Sequence, residues 1–367
     1  MKKKIVFYIS GHGFGHATRN LAIIQAIQHK YIDVDVYIRS NAPEWIFKEN
    51  LLRPVYYHNL RIDTGTYQKD FIHLDKKKSF TAYDQLVQTR DQLIYSEVMF
   101  LHANNIDLIV ADIPPTAFYI ASSAAIPAVA LANFSWDWIF EPYLDEYPEY
   151  SYLIEDMRAG YKKADMLLRL PFAGDLSVFR KITDIPLILR NPLYTQQEVR
   201  RELGISEETR PVILCSFGGF NTSDLDIAFI MAAYRDFFFI GFSSEYQRGE
   251  NYLLLPYNSN IDHPSLVACS AMVISKLGFS TVAECVGTGT PLMYISRDDF
   301  REYPVLEAGL KPLIPSYLIP RDNFFSGFWQ KHLNTFMATI AGKPKEVRCP
   351  IDGSQQAATL IYKSYLS

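Results

Sequence analysis

The sequence predicts an α/β protein of two Rossmann-like domains facing each other across a cleft. Three observations carry that prediction. The glycine-rich turn GHGFGHATR, Gly11 to Arg19, directly follows the apolar run Ile5–Ile9. A second such turn, SKLGFSTVAECVGTGTP from Ser275 to Pro291, directly follows Ala271–Ile274. The chain has 367 residues, too many for one ordinary core and enough for two domains.

The elements follow in order. Lys4–Ser10 reads as a strand, Ala17–His29 as a helix and Val34–Arg39 as the next strand. Tyr56 to Thr81 turns polar and irregular, which fits a loop over a cleft mouth, and a long helix then runs to about Asn104. Ile106–Ala111 and Ala128–Ala132 are further strands, and the acidic, aromatic stretch Glu141–Tyr152 is a candidate cleft edge. Continuous apolar strands between amphipathic helices imply a parallel sheet covered on both faces. Val178–Pro192 reads as the passage between domains. The second half repeats the pattern with strands Pro211–Ser216, Phe237–Phe242, Tyr252–Leu255, Ala271–Ile274 and Pro291–Ile295, and ends in the amphipathic helix Gln355–Tyr365. The expected domains are residues 1–190, with 353–367 crossing back onto them, and residues 191–352.

Composition narrows the function classes. Hydrophobic residues make up 49% of the chain and charged ones 21%, as in globular proteins. The net charge of −4 argues against a nucleic-acid backbone as partner. Cys215, Cys269, Cys285 and Cys349 are widely spaced with no C-x-x-C, so reduced thiols and a cytoplasmic location are expected. The start, MKKKIVFYISG, has too short an apolar run for a signal peptide, and no uncharged run approaches the ~18 residues of a membrane span. The leading lysines and the aromatics leave peripheral membrane contact open.

In an open α/β sheet, ligands sit beyond the carboxyl ends of the strands, where helix amino-termini present free N–H groups. Gly278, Phe279 and Ser280 open such a helix. Gly278 allows a turn and a close backbone approach, and Ser280 or Thr281 would cap the helix or donate to a phosphate. Glu284 lies one turn on, along the face carrying Thr281, where it would accept ribose hydroxyls or simply be solvated. GHGFGHATR is not a dinucleotide fingerprint, because its sixth position is His16, and no P-loop follows. It is a tight turn presenting His12 and His16. Histidine is suited to proton transfer near neutral pH, and Asp112, in ADIPP, ends a strand on the same sheet edge and would orient it. Helix or turn caps are the alternative for both. The triplets Asp33–Asp35 and Asp224–Asp226 read as caps and solvated acids, and no zinc-ligand spacing occurs, so no metal and no cofactor are expected.

These residues resemble GT-B glycosyltransferases, nearest to the MurG-type and plant UDP-sugar transferase groups. There a Gly-His after the first strand supplies the base, and S-x-x-G-x-x-T-x-x-E-x-x-x-x-G-x-P binds the donor. Gly15–His16, and Ser275, Gly278, Thr281, Glu284, Gly289 and Pro291, occupy those places. Over nearly the whole chain the sequence is similar to the amino-terminal, glycosyltransferase-like domain of plant L-arabinokinases, through GHGFGHATR, ANFSWDW (Ala132–Trp138), RLP (Arg169–Pro171), IPLILR (Ile185–Arg190) and VRRELGI (Val199–Ile205). No kinase domain follows here, so kinase activity is not expected.

The resemblance implies a GT-B fold whose last helix crosses back to the first domain. It implies His16 as general base and Asp112 as its orienting acid. On the donor side it implies Gly218, Gly219, Ser275, Gly278, Phe279, Ser280, Thr281 and Glu284, with Asp299 and Glu302 of RDDFRE reaching the donor sugar or lying on a surface loop. On the acceptor side stand His12, Gly13, Arg19, Asn133, Trp136 and Asp137. Arg19 would meet a phosphate or be a surface cation. Trp136 or Trp138 would stack on a sugar. His263 reads as a loop histidine near the nucleobase wall. The expected activity is metal-independent, inverting transfer of a sugar from a nucleoside-diphosphate donor, a UDP-sugar, to a hydroxyl acceptor. The alternatives are a UDP-sugar epimerase or hydrolase on the same fold, and a non-enzymatic nucleotide-sugar sensor.

Overall fold

The computed structural model describes residues 2–69, 72–217, 226–297 and 299–366. The first half forms strands β1 (Lys3–Ile9), β2 (Val34–Ser40), β3 (Tyr56–Asn59), β4 (Tyr67–Gln68), β5 (Leu74–Asp75), β6 (Leu108–Asp112), β7 (Ala128–Ala132), β8 (Met166–Arg169) and β9 (Ile182–Asp184). The second half adds β10 (Val212–Cys215), β11 (Phe238–Ser243), β12 (Gln247–Arg248), β13 (Tyr252–Pro256), β14 (Met272–Lys276), β15 (Leu292–Ile295) and β16 (Ser316–Ile319). Two seven-stranded sheets result, ordered β3-β2-β1-β6-β7-β8-β9 and β12-β13-β11-β10-β14-β15-β16. The first is wholly parallel, and the second is parallel apart from β12, which runs antiparallel to β13. Parallel strands need helical crossovers on both faces, and the central strands β6, β7, β10 and β14 are accordingly buried end to end.

Register decides what reaches the cleft. Ile9 at the end of β1 lies opposite both Ser40 of β2 and Asp112 of β6. The turn after β1, the start of the loop after β2 and the Asp112 side chain therefore share one carboxyl edge. In the second sheet Ser275 pairs with Tyr294 and Lys276 with Ile295, which puts the second glycine-rich turn at the matching edge.

The last helix, Gly353–Tyr365, returns to the first domain. Tyr362 stacks on Tyr31 at 3.8 Å between ring centroids, Lys30 Nζ donates to Thr359 Oγ1 at 2.9 Å, and the Tyr362 hydroxyl donates to Asp33 at 2.9 Å. A continuous apolar core joins both sheets through Ile185, Leu187, Ile188 and Leu189 of the linker and Ala357 and Ile361 of this helix.

Parts of the first domain differ from the sequence reading. The stretch read as a loop from Tyr56 holds the edge strand β3, the β4–β5 hairpin and the first turns of the Lys76–Ala103 helix. Tyr56, His58 and Asn59 are exposed, so β3 carries no apolar alternation to announce it. The passage Val178–Pro192 contains β9, a three-residue edge strand of the first sheet. The acidic stretch from Glu141 folds into the 3₁₀ turns Glu141–Asp145 and Pro148–Tyr150 and touches the second domain, with Arg301 donating to Glu141 at 2.8 Å. Asp35 pairs with Lys2, and Asp226 caps the Ile227–Ala233 helix, while Asp224 lies outside the described residues. No described helix is long and apolar enough to cross a membrane.

Ile361 is fully buried between the last helix and the first domain. Ile361→Ala is expected to cost about 2–5 kcal/mol in urea unfolding. A loss below about 1 kcal/mol would mean that this helix does not form part of the core.

Candidate active site

The turn after β1 is shaped by two glycines. Gly13 has φ +71°, a left-handed conformation that favours glycine, and a Cβ on Gly11 would fall 1.9 Å from the Asn41 side-chain oxygen. The helix Gly15–Lys30 starts immediately afterwards, with Phe14 at its cap and no side chain bonding its first amides from that position. His16 and Arg19 lie one turn apart on this helix and both face the end of β6.

Asp112 is fully buried there. Arg19 grips it with both arms, Nε to Oδ2 at 2.6 Å and Nη2 to Oδ1 at 2.5 Å. Asn20 Nδ2 donates to Oδ2 at 2.5 Å, and His16 Nδ1 lies 2.8 Å from Oδ1. Burial pushes the Asp112 carboxyl up, but the Arg19 guanidinium and the His16 ring outweigh it and hold it at about 2. A carboxylate only accepts hydrogen bonds, so Nδ1 of His16 carries the proton that faces it. Arg19 Nη2, 3.0 Å from the same Nδ1, is only a near neighbour of that nitrogen. In neutral His16 the Nε2 lone pair is then the available base, and His16 lines the cleft.

The chain of contacts continues across the domains. Arg19 Nη1 donates to Asn133 Oδ1 at 2.8 Å, and Asn133 Nδ2 donates to Glu302 Oε1 at 2.6 Å. Burial raises the pKa of Glu302, against the lowering by Asn133 and the nearby cations.

Across the cleft, the helix Phe279–Thr288 begins at Gly278. Its amino-terminus abuts that of the first helix: Ser280 Oγ lies 3.1 Å from the Gly15 carbonyl oxygen and 3.2 Å from Thr18 Oγ1. Two aligned helix ends, each equivalent to roughly half a positive charge, thus converge on one point. Lys276 at the end of β14 and Arg297 just after β15 line the same cleft, which has a volume of about 480 Å³. An anion entering here meets free amides and fixed cations together.

Deeper in the second domain, Glu284 is 4% exposed and doubly engaged. Arg190 Nη2, from the interdomain linker, donates to Oε1 at 3.0 Å, and His263 Nδ1 lies 2.5 Å from Oε2. Burial raises its pKa, but His263 and Arg190 together win and keep it lowered. His263 Nε2 in turn meets Ser216 Oγ at 2.8 Å. Phe242 stacks against His263 and Tyr257, with centroids 5.9 and 6.0 Å away, and forms an aromatic wall along the cleft.

The structure thus brings together His16 with Asp112, and Ser275, Gly278, Phe279, Ser280, Thr281, Glu284 and Glu302 along one cleft with His12 and Gly13. Several roles change. Gly278 has φ −142°, ordinary extended backbone, and nothing lies within 4 Å of an added Cβ, so it provides open space rather than a special turn. Gly278 itself is the cap, so Ser280 and Thr281 are not. The Ser275 hydroxyl is held 2.5 Å from the Ser216 carbonyl oxygen. The Phe279 ring sits 5.2 Å from the Arg19 guanidinium.

Arg19 is not a surface cation: it is buried, with its guanidinium on Asp112 and Asn133 at the cleft wall, and Asn133 is likewise enclosed between Arg19 and Glu302. Trp136 offers no stacking face to a sugar. It is buried, its Nε1 donates to Asp63 at 3.0 Å, and its ring packs on His12 at 5.6 Å. Trp138 is buried too, with Gly174 tight against its ring. Asp137 points away to Arg158 at 3.3 Å. Asp299 is exposed beside Lys76 at 3.5 Å, outside the cleft lining. Gly218 and Gly219 lie outside the described residues. His263 is no loop histidine: Asp262 caps the His263–Cys269 helix and Pro264 sits in its first turn, which fixes His263 against Glu284. Arg190, Lys276, Arg297 and Asp63 were not picked out as site residues. For Lys276 and Arg297 the signal was present, since one ends a strand and the other comes just after one.

Among the described residues no cluster of three or more His, Cys, Asp or Glu side chains is arranged to hold a metal. No family model matches the chain. It is 29% identical over 344 residues to L-arabinokinase of Arabidopsis thaliana, covering 90% of this chain and 32% of that protein. The chain therefore spans about a third of the length of this curated relative. Among solved structures it is similar to the glycosyltransferase of kitacinnamycin, with a TM-score of 0.63 and 12% identity over 99% of both chains. It is also similar to a UDP-glucosyltransferase from Polygonum tinctorium capable of glucosylating indoxyl, with a TM-score of 0.61 and 12% identity over 100% and 99% of the two chains. At such identities the likeness carries the fold, and the fold is GT-B, two Rossmann-like domains across a cleft.

Asp112 binds its proton less readily folded than unfolded, where an aspartate has a pKa of about 3.9. Its contribution to stability is therefore complete above about pH 4 and is lost as pH falls towards about 2. Melting temperature is expected to fall more steeply over that window in the wild type than in Asp112→Asn. Equal slopes would contradict the ionised, clamped carboxylate.

Proposed function

We propose that the protein is an inverting, metal-independent glycosyltransferase that moves a sugar from a UDP-sugar to a hydroxyl acceptor. The observation that carries this reading is the His16–Asp112 pair placed across one cleft from the uncapped amino-terminus of the Phe279–Thr288 helix. A base that needs an acidic partner and a helix end suited to a diphosphate are the two halves of a sugar transfer. The GT-B likeness to a UDP-glucosyltransferase supports the same choice of donor.

In this reaction the acceptor hydroxyl gives its proton to His16 Nε2 while its oxygen bonds to the anomeric carbon. The bond from that carbon to the diphosphate breaks, and its electron pair leaves with the UDP. Asp112 holds the imidazole in the right tautomer and stabilises the imidazolium that forms. The charge developing on the diphosphate meets the amides of Phe279 and Ser280, with Lys276 and Arg297 nearby, so this stabilisation is built from the chain's own groups. Glu284 would receive the ribose hydroxyls, held in place by Arg190 and His263, and the uracil would lie along the Phe242 wall.

Transfer is to be measured in EDTA with a panel of UDP-sugars and hydroxyl acceptors. His16→Ala is expected to lower kcat about 10²–10⁴-fold while UDP affinity is kept. Full activity in that variant would remove His16 as base, and turnover of the donor without any acceptor would turn the reading towards a hydrolase or epimerase. Glu284→Ala is expected to weaken UDP binding at least about tenfold, as loss of a charge-assisted hydrogen bond implies. Unchanged affinity would take Glu284 out of the donor site.

A further inference from the structure

Beside the cleft lies a second cavity, of about 440 Å³, within the size range of small-molecule sites. It shares His12, Gly13 and Gln68 with the cleft, so the two spaces meet at the turn just before the helix that carries His16. Its other walls come from the end of β2 and from the segment between β3 and the β4–β5 hairpin.

The lining side chains are polar, charged or aromatic, and their carbon stems and rings supply much of the wall. Asn41 and Gln68 contribute amides, Thr64 and Thr66 hydroxyls, Asp63 a carboxylate, and Arg61 and Lys69 cations. Among the described residues no aliphatic side chain lines it, and the rings are those of His12 and Tyr67. The architecture maintains that polarity. Gly11 lacks a Cβ where the Asn41 amide sits, and Gly65, at φ +55°, lets the backbone lie against the His12 ring. Asp63 is 3% exposed, with Oδ2 accepting from Trp136 Nε1 at 3.0 Å. The Ser10 hydroxyl also bonds this carboxylate, which offers about four lone-pair sites, more than these two donors use.

An apolar acceptor entering here would strip water from amides, hydroxyls and a carboxylate without replacing its hydrogen bonds. A polyol would replace them. A phosphate would face the Asp63 carboxylate, and Arg61 already donates to the Tyr67 hydroxyl at 2.9 Å. We propose that this cavity is the acceptor site and that the acceptor is a neutral, hydroxyl-rich carbohydrate. The assignment rests on the transferase reading. It places one sugar hydroxyl at His16 and others on Asp63, Asn41 and Thr66.

The test is saturation-transfer NMR on the full chain with UDP present. The probes are glucose, xylose and myo-inositol, set against 4-nitrophenol, 1-naphthol and glucose 6-phosphate. Calorimetric UDP binding is measured in parallel. At least one neutral polyol is expected to show saturation transfer, with the signal lost in Asp63→Asn and reduced at least about threefold in Asn41→Ala, while both variants bind UDP as the wild type does. Asn41→Ala, at the exposed rim, keeps the test decisive if Asp63→Asn fails to fold. Preference for the aromatic alcohols or the phosphate ester, silence from all three polyols, or polyol signals unchanged in the folded variants would overturn the proposal. Failure of the wild type to bind UDP would instead overturn the transferase reading on which it rests.

Discussion

Asp112 sits at the end of β6 with no exposure to solvent, and four hydrogen-bond donors from the first helix reach its two oxygens. Leaving such a charge unpaired would cost several kcal/mol, so the helix must be placed to pair it. Arg19 supplies the countercharge through a planar fork that matches a carboxylate, an arrangement lysine could not reproduce. His16 then receives a fixed partner and tautomer. The geometry of the glycine-rich turn is tied to this contact, because only a sharp turn after Ile9 starts the helix close enough to the neighbouring strand.

The same carboxylate ties the two domains together. Its cation reaches Asn133, and Asn133 reaches Glu302 on the far side of the cleft. A second bridge joins the helix ends through Ser280 and Gly15, and a third runs from Arg190 in the linker to Glu284. Each bridge ends on a residue of the candidate donor site. A change in the angle between the domains would therefore alter the candidate donor site and the setting of His16 together.

Much of this was legible because it follows from strand ends. Asp112 ends an apolar run, the glycine-rich turn leading to His16 follows another, and parallel register brings the two strand ends to one edge. The second glycine-rich turn was legible for the same reason. What could not be read was which side chains neutralise one another over long separations. Arg19 meets a carboxylate 93 positions away, so a cation at a helix start gave no sign of its burial. His263 and Arg190 reach Glu284 from 21 and 94 positions away. Trp136 and Asp137 follow a strand on the cleft side, yet one ring is enclosed by Phe134, Phe140 and His12, and the other side chain turns to Arg158. Asp63 lay in a stretch whose exposed strand and short hairpin carry no periodic signal.

The most direct measurement is a crystal structure of the protein with UDP bound. The account expects the diphosphate at the amino-terminus of the Phe279–Thr288 helix, the ribose on Glu284 and the uracil along Phe242, with His16 Nε2 facing the open side of the β-phosphate. A diphosphate bound away from that helix end, or saturating UDP that leaves the cleft empty, would contradict it.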